Sequence, residues 1–303
     1  MIRPVAFNYN AQTAENNYYQ IAADASQAED IQAKARAEFD SFVAKLIAAG
    51  VDVLVEDDTL MPVTPDSIFP NNWISFHEDG SIFLYPMFAP NRRQERRMDI
   101  LDMLRVSDFR ITQVVDMTDS EQDGRYLEGT GSIVLDREHR IAYACISLRT
   151  NPDVLALWAA QTGYKTITFD ALQNVNGELL PIYHTNVMMS VGNKLAIVCA
   201  DCVKNTEERE ALLASLSATG KHVILISEEQ KHDFAGNMLE VESKNGEHLM
   251  VMSSRAFHAL TSHQINEIEA FCTIVHSDIR TIETYGGGSA RCMMAEIFLP
   301  SIH

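Results

Sequence analysis

The sequence is poor in basic residues and has no long apolar run. It holds 24 Lys and Arg residues against 42 Asp and Glu residues, and the net charge of −18 repels the phosphate backbone of nucleic acids. No apolar stretch approaches the ~20 residues that span a bilayer, and residues 1–10 contain no apolar core of a signal peptide. These absences predict a cytoplasmic protein that binds neither nucleic acid nor a membrane.

Cysteine is also scarce, and its five copies do not follow the spacing of a secreted disulfide framework. We therefore expect reduced thiols. Cys199-Ala-Asp-Cys202 has the spacing of metal and redox sites, but it closes an apolar, strand-like run and has no second pair. We interpret both thiols as buried small hydrophobic groups. The cysteines are Cys145, Cys199, Cys202, Cys272 and Cys292.

A module of a β-hairpin, a helix and a strand recurs five times along the chain. Asn-Gly and Asp-Gly turns between alternating apolar residues are typical of hairpins. Hydrophobic residues make up 46% of the chain, which is enough for a large core. The repeat predicts one α/β domain over residues 1–303. Its hairpins are predicted at Ile68 to Pro86, Gly131 to Ser147, His184 to Ala200, Asn237 to Ser253 and Ala290 to Leu299.

Capping residues indicate where the helices begin and end. Asn151-Pro152 predicts an N-cap followed by a first-turn proline, and Gly163 predicts the end of that helix. Thr261 and Gln264 have the spacing of a capping box. A further helix is predicted from the apolar stripe of Phe39, Phe42, Val43, Leu46 and Ile47.

The beginnings of the modules are polar or glycine-rich, which a core strand does not require. If the modules close into a ring, these module starts point to a common axis, where side chains distant in sequence meet. They supply one cysteine, one histidine, carboxylates and amides, which are the groups of nucleophilic thiol catalysis. The module starts are Asp66 to Asn72, Glu128 to Gly131, His184 to Asn186, Asp233 to Asn237 and Gly286 to Cys292.

Five segments, taken in order, resemble the motifs of the guanidine-modifying superfamily, which includes arginine deiminases, dimethylarginine hydrolases and amidinotransferases. The segments cover most of the chain and read Pro65-Asp66-Ser67-Ile68-Phe69, Glu128-Gly129, Arg149-Thr150-Asn151, His184 and Gly286 to Cys292. The resemblance implies that family's fold, a five-bladed α/β propeller of ββαβ modules. It also implies a hydrolase or transferase that needs no metal and no cofactor.

The resemblance implies a role for each matching residue. Cys292 attacks the planar carbon of the substrate, His184 protonates the leaving amine and activates water, and Glu128 orients the histidine. Asp66 in the first motif is expected to bind the substrate ammonium, and Phe69 in the same motif is expected to contact the substrate. The substrate carboxylate is expected at Arg149 and Arg92, although a solvated helix face explains Arg92 equally well.

The sequence departs from the family pattern at positions where acids bind a cationic guanidinium. Amides stand there instead, at Asn71, Asn72 and Asn186, and Ser132 replaces a further acid. A buried cation without carboxylates is costly, whereas an amide both donates to and accepts from a neutral ureido group. We therefore predict a substrate-binding set suited to citrulline, similar to the citrulline hydrolase branch. Arginine remains the alternative, as does a purely structural use of asparagine at turns.

Three other functions remain open at this point. An amidinotransferase uses the same cysteine but passes the amidino group to an amine. A binding protein of the same fold lacks turnover altogether, and a zinc hydrolase uses cysteine and histidine as ligands, although close ligand pairs are missing here. The expected partner is a small amino-acid substrate, and a homodimer is left open.

Overall fold

The computed structural model describes residues 1–302, and within them the predicted module forms four times. Each copy has two antiparallel strands, then a helical connection, then a third strand parallel to the second. The four sheets are β3 (Ile74–Phe76), β4 (Ser81–Leu84) and β5 (Gln113–Asp116); β6 (Val134–Asp136), β7 (Ile141–Cys145) and β8 (Lys165–Phe169); β11 (Met189–Val191), β12 (Leu195–Val198) and β13 (His222–Leu225); and β14 (Leu239–Glu242), β15 (His248–Ser253) and β16 (Thr273–Ser277).

In the second and fourth of these modules, the helix that connects the second and third strands begins at its predicted cap. The Asn151 side chain accepts hydrogen bonds from the backbone N–H groups of Asp153 and Val154, and Gly163 ends the helix at φ +71°. Both bonds of the Thr261–Gln264 capping box are present. The α-helices are α1 (Ala28–Ala48), α2 (Asp99–Val106), α3 (Gly129–Ser132), α4 (Pro152–Thr162), α5 (Thr206–Ala218), α6 (Glu228–His232), α7 (Ser254–Ala259), α8 (Ser262–Glu269) and α9 (Arg280–Gly286).

The fifth module differs from its prediction. Strands β1 (Ile2–Arg3) and β2 (Glu56–Asp57) pair in parallel on either side of α1, so they repeat the later part of a module. The predicted hairpin at 290–299 is wrong, because Ala290–Met293 forms a 3₁₀ turn and residues 294–300 have no strand. Leu299 nevertheless packs in the same apolar cluster as Ile2. Early and late parts of the chain therefore share one apolar cluster.

One hairpin was not predicted, although its signal is present. Strands β9 (Leu172–Val175) and β10 (Glu178–Pro181) pair across Asn176-Gly177. Both turn residues have positive φ, at +53° and +91°, as a two-residue hairpin turn requires. The extra hairpin lies between β8 and the third module.

Within residues 1–302 the core consists of four apolar clusters, which lie mainly between the sheets and their helices. The predicted stripe on α1 buries Phe39, Phe42 and Leu46 completely, while Val43 packs against them in part. Ile47 is 56% exposed, so the predicted stripe is one residue too wide. The resulting fold is a mixed α/β arrangement of several small sheets.

Candidate active site

Short turns at the module starts meet one another, as the repeat predicts. They are Pro70–Asn72, α3, Thr185–Val187 and Ala290–Met293, and all of their residues are buried. The first turn contacts α3 and the last turn, and α3 contacts the third. Polar side chains from all of these module starts are therefore gathered inside the protein.

His184 and Glu128 form the predicted pair. His184 Nε2 lies 2.7 Å from Glu128 Oε2, and both side chains are almost fully buried. The same carboxylate accepts from the Phe88 backbone N–H at 2.9 Å and from Arg149 Nη1 at 3.3 Å. Since the ionised carboxylate is an acceptor, the proton on this side of the ring belongs to Nε2. The other ring nitrogen, Nδ1, is left to exchange protons.

For each member of this pair, burial and the neighbouring charges shift the pKa in opposite directions. Burial opposes the charged form of Glu128, but Arg149 and the His184 hydrogen bond outweigh it and hold the pKa of the carboxyl well below its ordinary value. Burial also lowers the pKa of His184 to about 4, although Glu128 opposes that shift. At neutral pH the histidine is therefore a neutral base held by a carboxylate.

Gly131 explains how the histidine and an amide reach the same place. A side chain at this glycine would put its Cβ against Asn72 Nδ2 and 2.8 Å from His184 Nδ1. Only glycine leaves that space empty, so Asn72 Nδ2 and His184 Nδ1 both lie next to the backbone of α3. From the sequence, Gly131 was noted only as the end of a module start, and this use of it was not predicted.

Cys292 lies in the same buried region, bordered by amides. Its Sγ is 3.4 Å from Asn186 Nδ2 and 3.3 Å from Asn237 Nδ2, and the residue is 6% exposed. Asn186 was predicted as a site residue, whereas Asn237 was noted only as part of a module start. Like Cys292, Asn237 is the last residue of its module start and is followed by methionine, and this shared pattern is the signal that could have identified it.

Phe69 packs against the glycine segment that precedes the cysteine. Side chains at Gly286 and Gly288 would both come within 3.0 Å of the Phe69 ring, and one at Gly288 would also lie 3.3 Å from Cys292 Cβ. The glycines are needed for this close packing. Phe69 therefore supports the cysteine loop, while the substrate contact predicted for it remains a prediction.

Arg92 is buried, so the interpretation as a solvated helix face is wrong. It lies in a 3₁₀ turn at 2% exposure and donates to Glu95 at 2.9 Å and to Asn72 Oδ1 at 2.8 Å. Asp66 is 3.9 Å from Arg92 and accepts from Asn10 at 2.8 Å. Burial raises the pKa of Asp66, although the Arg92 charge opposes this. Arg92, Glu95 and Asp66 therefore form one buried polar group, and Arg92 connects it to Asn72.

Arg149 joins the site to the N-terminal segment of the chain. Its Nε donates to Asn16 Oδ1 at 2.7 Å, its Nη2 donates to the Thr13 carbonyl at 2.9 Å, and its Nη1 faces Glu128. The predicted role in binding a carboxylate remains a prediction, because these contacts use all three nitrogens. The contribution of Thr13 and Asn16 was missed, since no local pattern indicates contacts that are 136 and 133 residues away in sequence.

Several buried polar atoms in this region have no hydrogen-bond partner. Buried polar groups are nearly always paired, so a cluster of unpaired ones indicates a place for a polar ligand. Four of the predicted substrate-binding residues contribute one such atom each. The atoms are Asp66 Oδ1, Asn71 Oδ1, Asn72 Nδ2 and Asn186 Oδ1, and the N-terminal segment adds Asn16 Nδ2 and Gln20 Oε1.

Residues 1–302 contain no group of three or more His, Cys, Asp and Glu side chains that could hold a metal ion. Over the same residues, no helix is both long enough and apolar enough to cross a membrane.

The repeated modules and the buried cysteine, histidine and glutamate define a member of the guanidine-modifying superfamily. More narrowly, residues 3–299 match the family model described as N,N dimethylarginine dimethylhydrolase, eukaryotic, and the chain belongs to that family. No curated protein sequence matches it significantly.

Solved structures of similar fold have low sequence identity. ArgZ, an arginine dihydrolase from the ornithine-ammonia cycle in Cyanobacteria, superposes with a TM-score of 0.73 at 16% identity, covering 100% of this chain and 40% of ArgZ. The product-bound N-terminal domain of ArgZ gives 0.69 at 15%, with 99% and 98% covered. A dimethylarginine dimethylaminohydrolase variant in adduct with S-methyl-L-thiocitrulline gives 0.62 at 15%, with 96% of each chain covered. This chain thus corresponds in extent to one domain of ArgZ.

Proposed function

We propose that the protein is a thiol hydrolase of a ureido or guanidino amino acid, and that it converts citrulline to ornithine, carbon dioxide and ammonia. One observation carries the choice of citrulline. The polar atoms left unpaired beside the cysteine and histidine are amide atoms, Asn186 Oδ1 and Asn72 Nδ2. One accepts from an N–H and the other donates to a carbonyl oxygen, which matches a neutral ureido group. We also propose that the modules close as a five-bladed propeller.

In the first half of the reaction, Cys292 Sγ attacks the ureido carbon and its proton passes to His184 Nδ1. The bond from that carbon to the side-chain nitrogen of the substrate breaks, and His184 returns the proton to this nitrogen. Ornithine leaves, and a carbamoyl group remains on the sulfur. Glu128 holds His184 through Nε2 at 2.7 Å during both transfers.

Water completes the reaction. His184, again neutral, takes a proton from the water that attacks the carbamoyl carbon. The carbon–sulfur bond then breaks, and the sulfur recovers its proton from the histidine. Carbamic acid leaves and decomposes to carbon dioxide and ammonia. One water is consumed in each turnover, and no electrons are exchanged.

We place the amino-acid end of the substrate beside Asp66 and Arg149. Asp66 Oδ1 is buried and unpaired, so it is suited to accept from the substrate ammonium. The substrate carboxylate needs a cation, and Arg149 now donates to Asn16 and the Thr13 carbonyl. Binding therefore requires the N-terminal segment to give up part of its contact with Arg149. Arg92 already donates hydrogen bonds to Glu95 and Asn72, so Arg149 is the better candidate for binding the substrate carboxylate.

Arginine or a methylated arginine is the second candidate substrate. It is supported by the family match and by the similarity to ArgZ, an arginine dihydrolase. Asp66 has a free carboxylate oxygen in this region, but Arg92 lies next to it. A guanidinium bound between the amides would therefore lack a carboxylate partner of its own. This contrast favours citrulline.

The test is turnover of citrulline, arginine, dimethylarginine and agmatine, measured by mass spectrometry as loss of each substrate and formation of its own products, which for citrulline are ornithine and ammonia. We expect citrulline to be the preferred substrate, and Cys292→Ala to abolish turnover. Cys272→Ala is the matched control, because that buried thiol lies in the apolar core and should not affect the rate. Preference for a guanidine would refute the choice of citrulline but keep the thiol mechanism. Formation of a new amidino compound when amines are added would indicate a transferase instead.

A further inference from the structure

The sulfur of Cys292 needs a source of stabilisation other than the histidine. In the resting protein at pH 7 His184 is neutral, because burial lowers its pKa to about 4, so no imidazolium faces the sulfur before the thiol proton is transferred. Two other titratable groups lie near the sulfur. Tyr183 is a buried phenol that donates to the Gly287 carbonyl, and Arg291 directs its guanidinium to the Met294 carbonyl and Glu296, each at 3.1 Å. The groups that do donate to the sulfur are two amides.

Asn237 is held in one orientation by its neighbours. Its Oδ1 accepts from the backbone N–H of Arg291 at 3.1 Å, and its Nδ2 donates to the backbone carbonyl of Asn186 at 2.9 Å. These two bonds decide which end of the amide is the nitrogen. Nδ2 therefore faces Cys292 Sγ at 3.3 Å, and the side chain is only 1% exposed.

We propose that Asn237 stabilises the Cys292 thiolate. Together with Asn186 it donates N–H hydrogen bonds to the negative charge that remains on Sγ when the thiol proton passes to His184. The inference rests on the proposed thiol mechanism and deepens it. In the protonated state the sulfur can donate to Asn237 Oδ1, at 3.7 Å, so the same amide serves both forms.

The two amides differ in their hydrogen-bond partners. Asn186 Oδ1 has no partner and is free to contact a substrate, whereas both polar atoms of Asn237 are bonded within the protein. Since the Asn237 amide is fixed before substrate arrives, it need not reorient when the charge forms. We therefore expect loss of Asn237 to change sulfur reactivity even in the absence of substrate.

The test measures alkylation of Cys292 by iodoacetamide in the full-length protein between pH 5 and 10, followed by mass spectrometry of the cysteine peptide. Asn237→Ala removes the donor. A hydrogen bond to a charged group is typically strong enough for us to expect an alkylation rate at pH 7 that is about tenfold lower and a midpoint about one pH unit higher. Asn237→Asp preserves the side-chain shape and the acceptor for Arg291 N–H. It replaces the donor by an anion, so its midpoint should rise further.

Asn205→Asp is the matched control, since it makes the same charge change at the exposed N-cap of α5 and should leave the profile unchanged. If Asn237→Ala does not fold, the Asp variant decides the matter. A wild-type midpoint in a folded Asn237 variant, checked by thermal melting, overturns the proposal. No substrate is present, so the result is independent of which substrate is hydrolysed. Loss of the thiol mechanism itself would appear separately, as turnover by Cys292→Ala.

Discussion

If the protein prefers citrulline as proposed, replacing Asn72 by Asp should shift its substrate preference towards arginine. Asn72 is 3% exposed; its Oδ1 accepts from Arg92 at 2.8 Å, and its unpaired Nδ2 lies against Gly131 beside His184 Nδ1. In Asn72→Asp one oxygen keeps the Arg92 contact. The other oxygen places a negative acceptor where the donor was.

The size of the effect follows from the two hydrogen bonds involved. For citrulline, a lost donor facing the ureido oxygen costs ~1–3 kcal/mol of transition-state binding. For arginine, a new bond between a carboxylate and a guanidinium N–H contributes ~1.5–3 kcal/mol. The ratio of kcat/KM for citrulline to that for arginine should therefore fall on the order of 10²- to 10⁴-fold.

The assay compares kcat/KM for both substrates by ornithine release, in the wild type and in Asn72→Asp. Asn245→Asp is the control, because it adds the same charge at the exposed turn between β14 and β15, away from the site. If the ratio of the two kcat/KM values is unchanged in Asn72→Asp, this amide does not determine which head group is preferred. An equal fall for both substrates would point to damage to His184 rather than to selectivity.

Stability measurements provide three further predictions. The pKa of His184 is about 4 when folded and near 6.5 when unfolded, so the unfolded chain binds more protons between these values and stability falls as pH drops from 6.5 towards 4. At pH 5 this amounts to about 2 kcal/mol, and urea titrations of His184→Gln should show a smaller acid loss; an equal loss would contradict the assignment. Burial raises the pKa of Glu283 to about 7, so its stabilising contribution is complete below 4.5 and is lost as pH rises through 7. Glu283→Gln should therefore be more stable than the wild type at pH 8 but not at pH 4, and the reverse order would refute this. Asn151→Ala removes two capping bonds from α4 and should cost about 1 kcal/mol in thermal unfolding; an unchanged melting temperature would show that the cap is not needed.

The modules could be predicted because their signals are local. Turn residues such as Asp79-Gly80 and caps such as Asn151 act within a few positions, so the sequence carries them directly. The convergence of Glu128, His184 and Cys292 followed from the repeat, since equivalent positions in a ring face one axis. Their grouping in the structure agrees with this reasoning for the turns that carry them.

The remaining parts of the site depend on contacts that no local pattern describes. Arg92 has the spacing of a solvated helix face, yet Glu95 and Asp66 pair with it inside the protein. Asn16 reaches Arg149 from a segment without regular structure. The hairpin predicted at 290–299 failed for a similar reason, because this segment packs against β1 rather than forming strands of its own.

The assembly of the site from separate module starts has a consequence for local unfolding. Each sheet pairs strands that are close in sequence, so a single module can open and reclose while the others keep their hydrogen bonds. The reacting groups have no such independence, since Glu128, His184, Asn237 and Cys292 belong to four different modules. Opening of any one of the four separates a group that the reaction needs. In a denaturant titration, catalytic activity should therefore disappear before the circular dichroism of the sheets does, and amide hydrogen exchange should identify which module opens first.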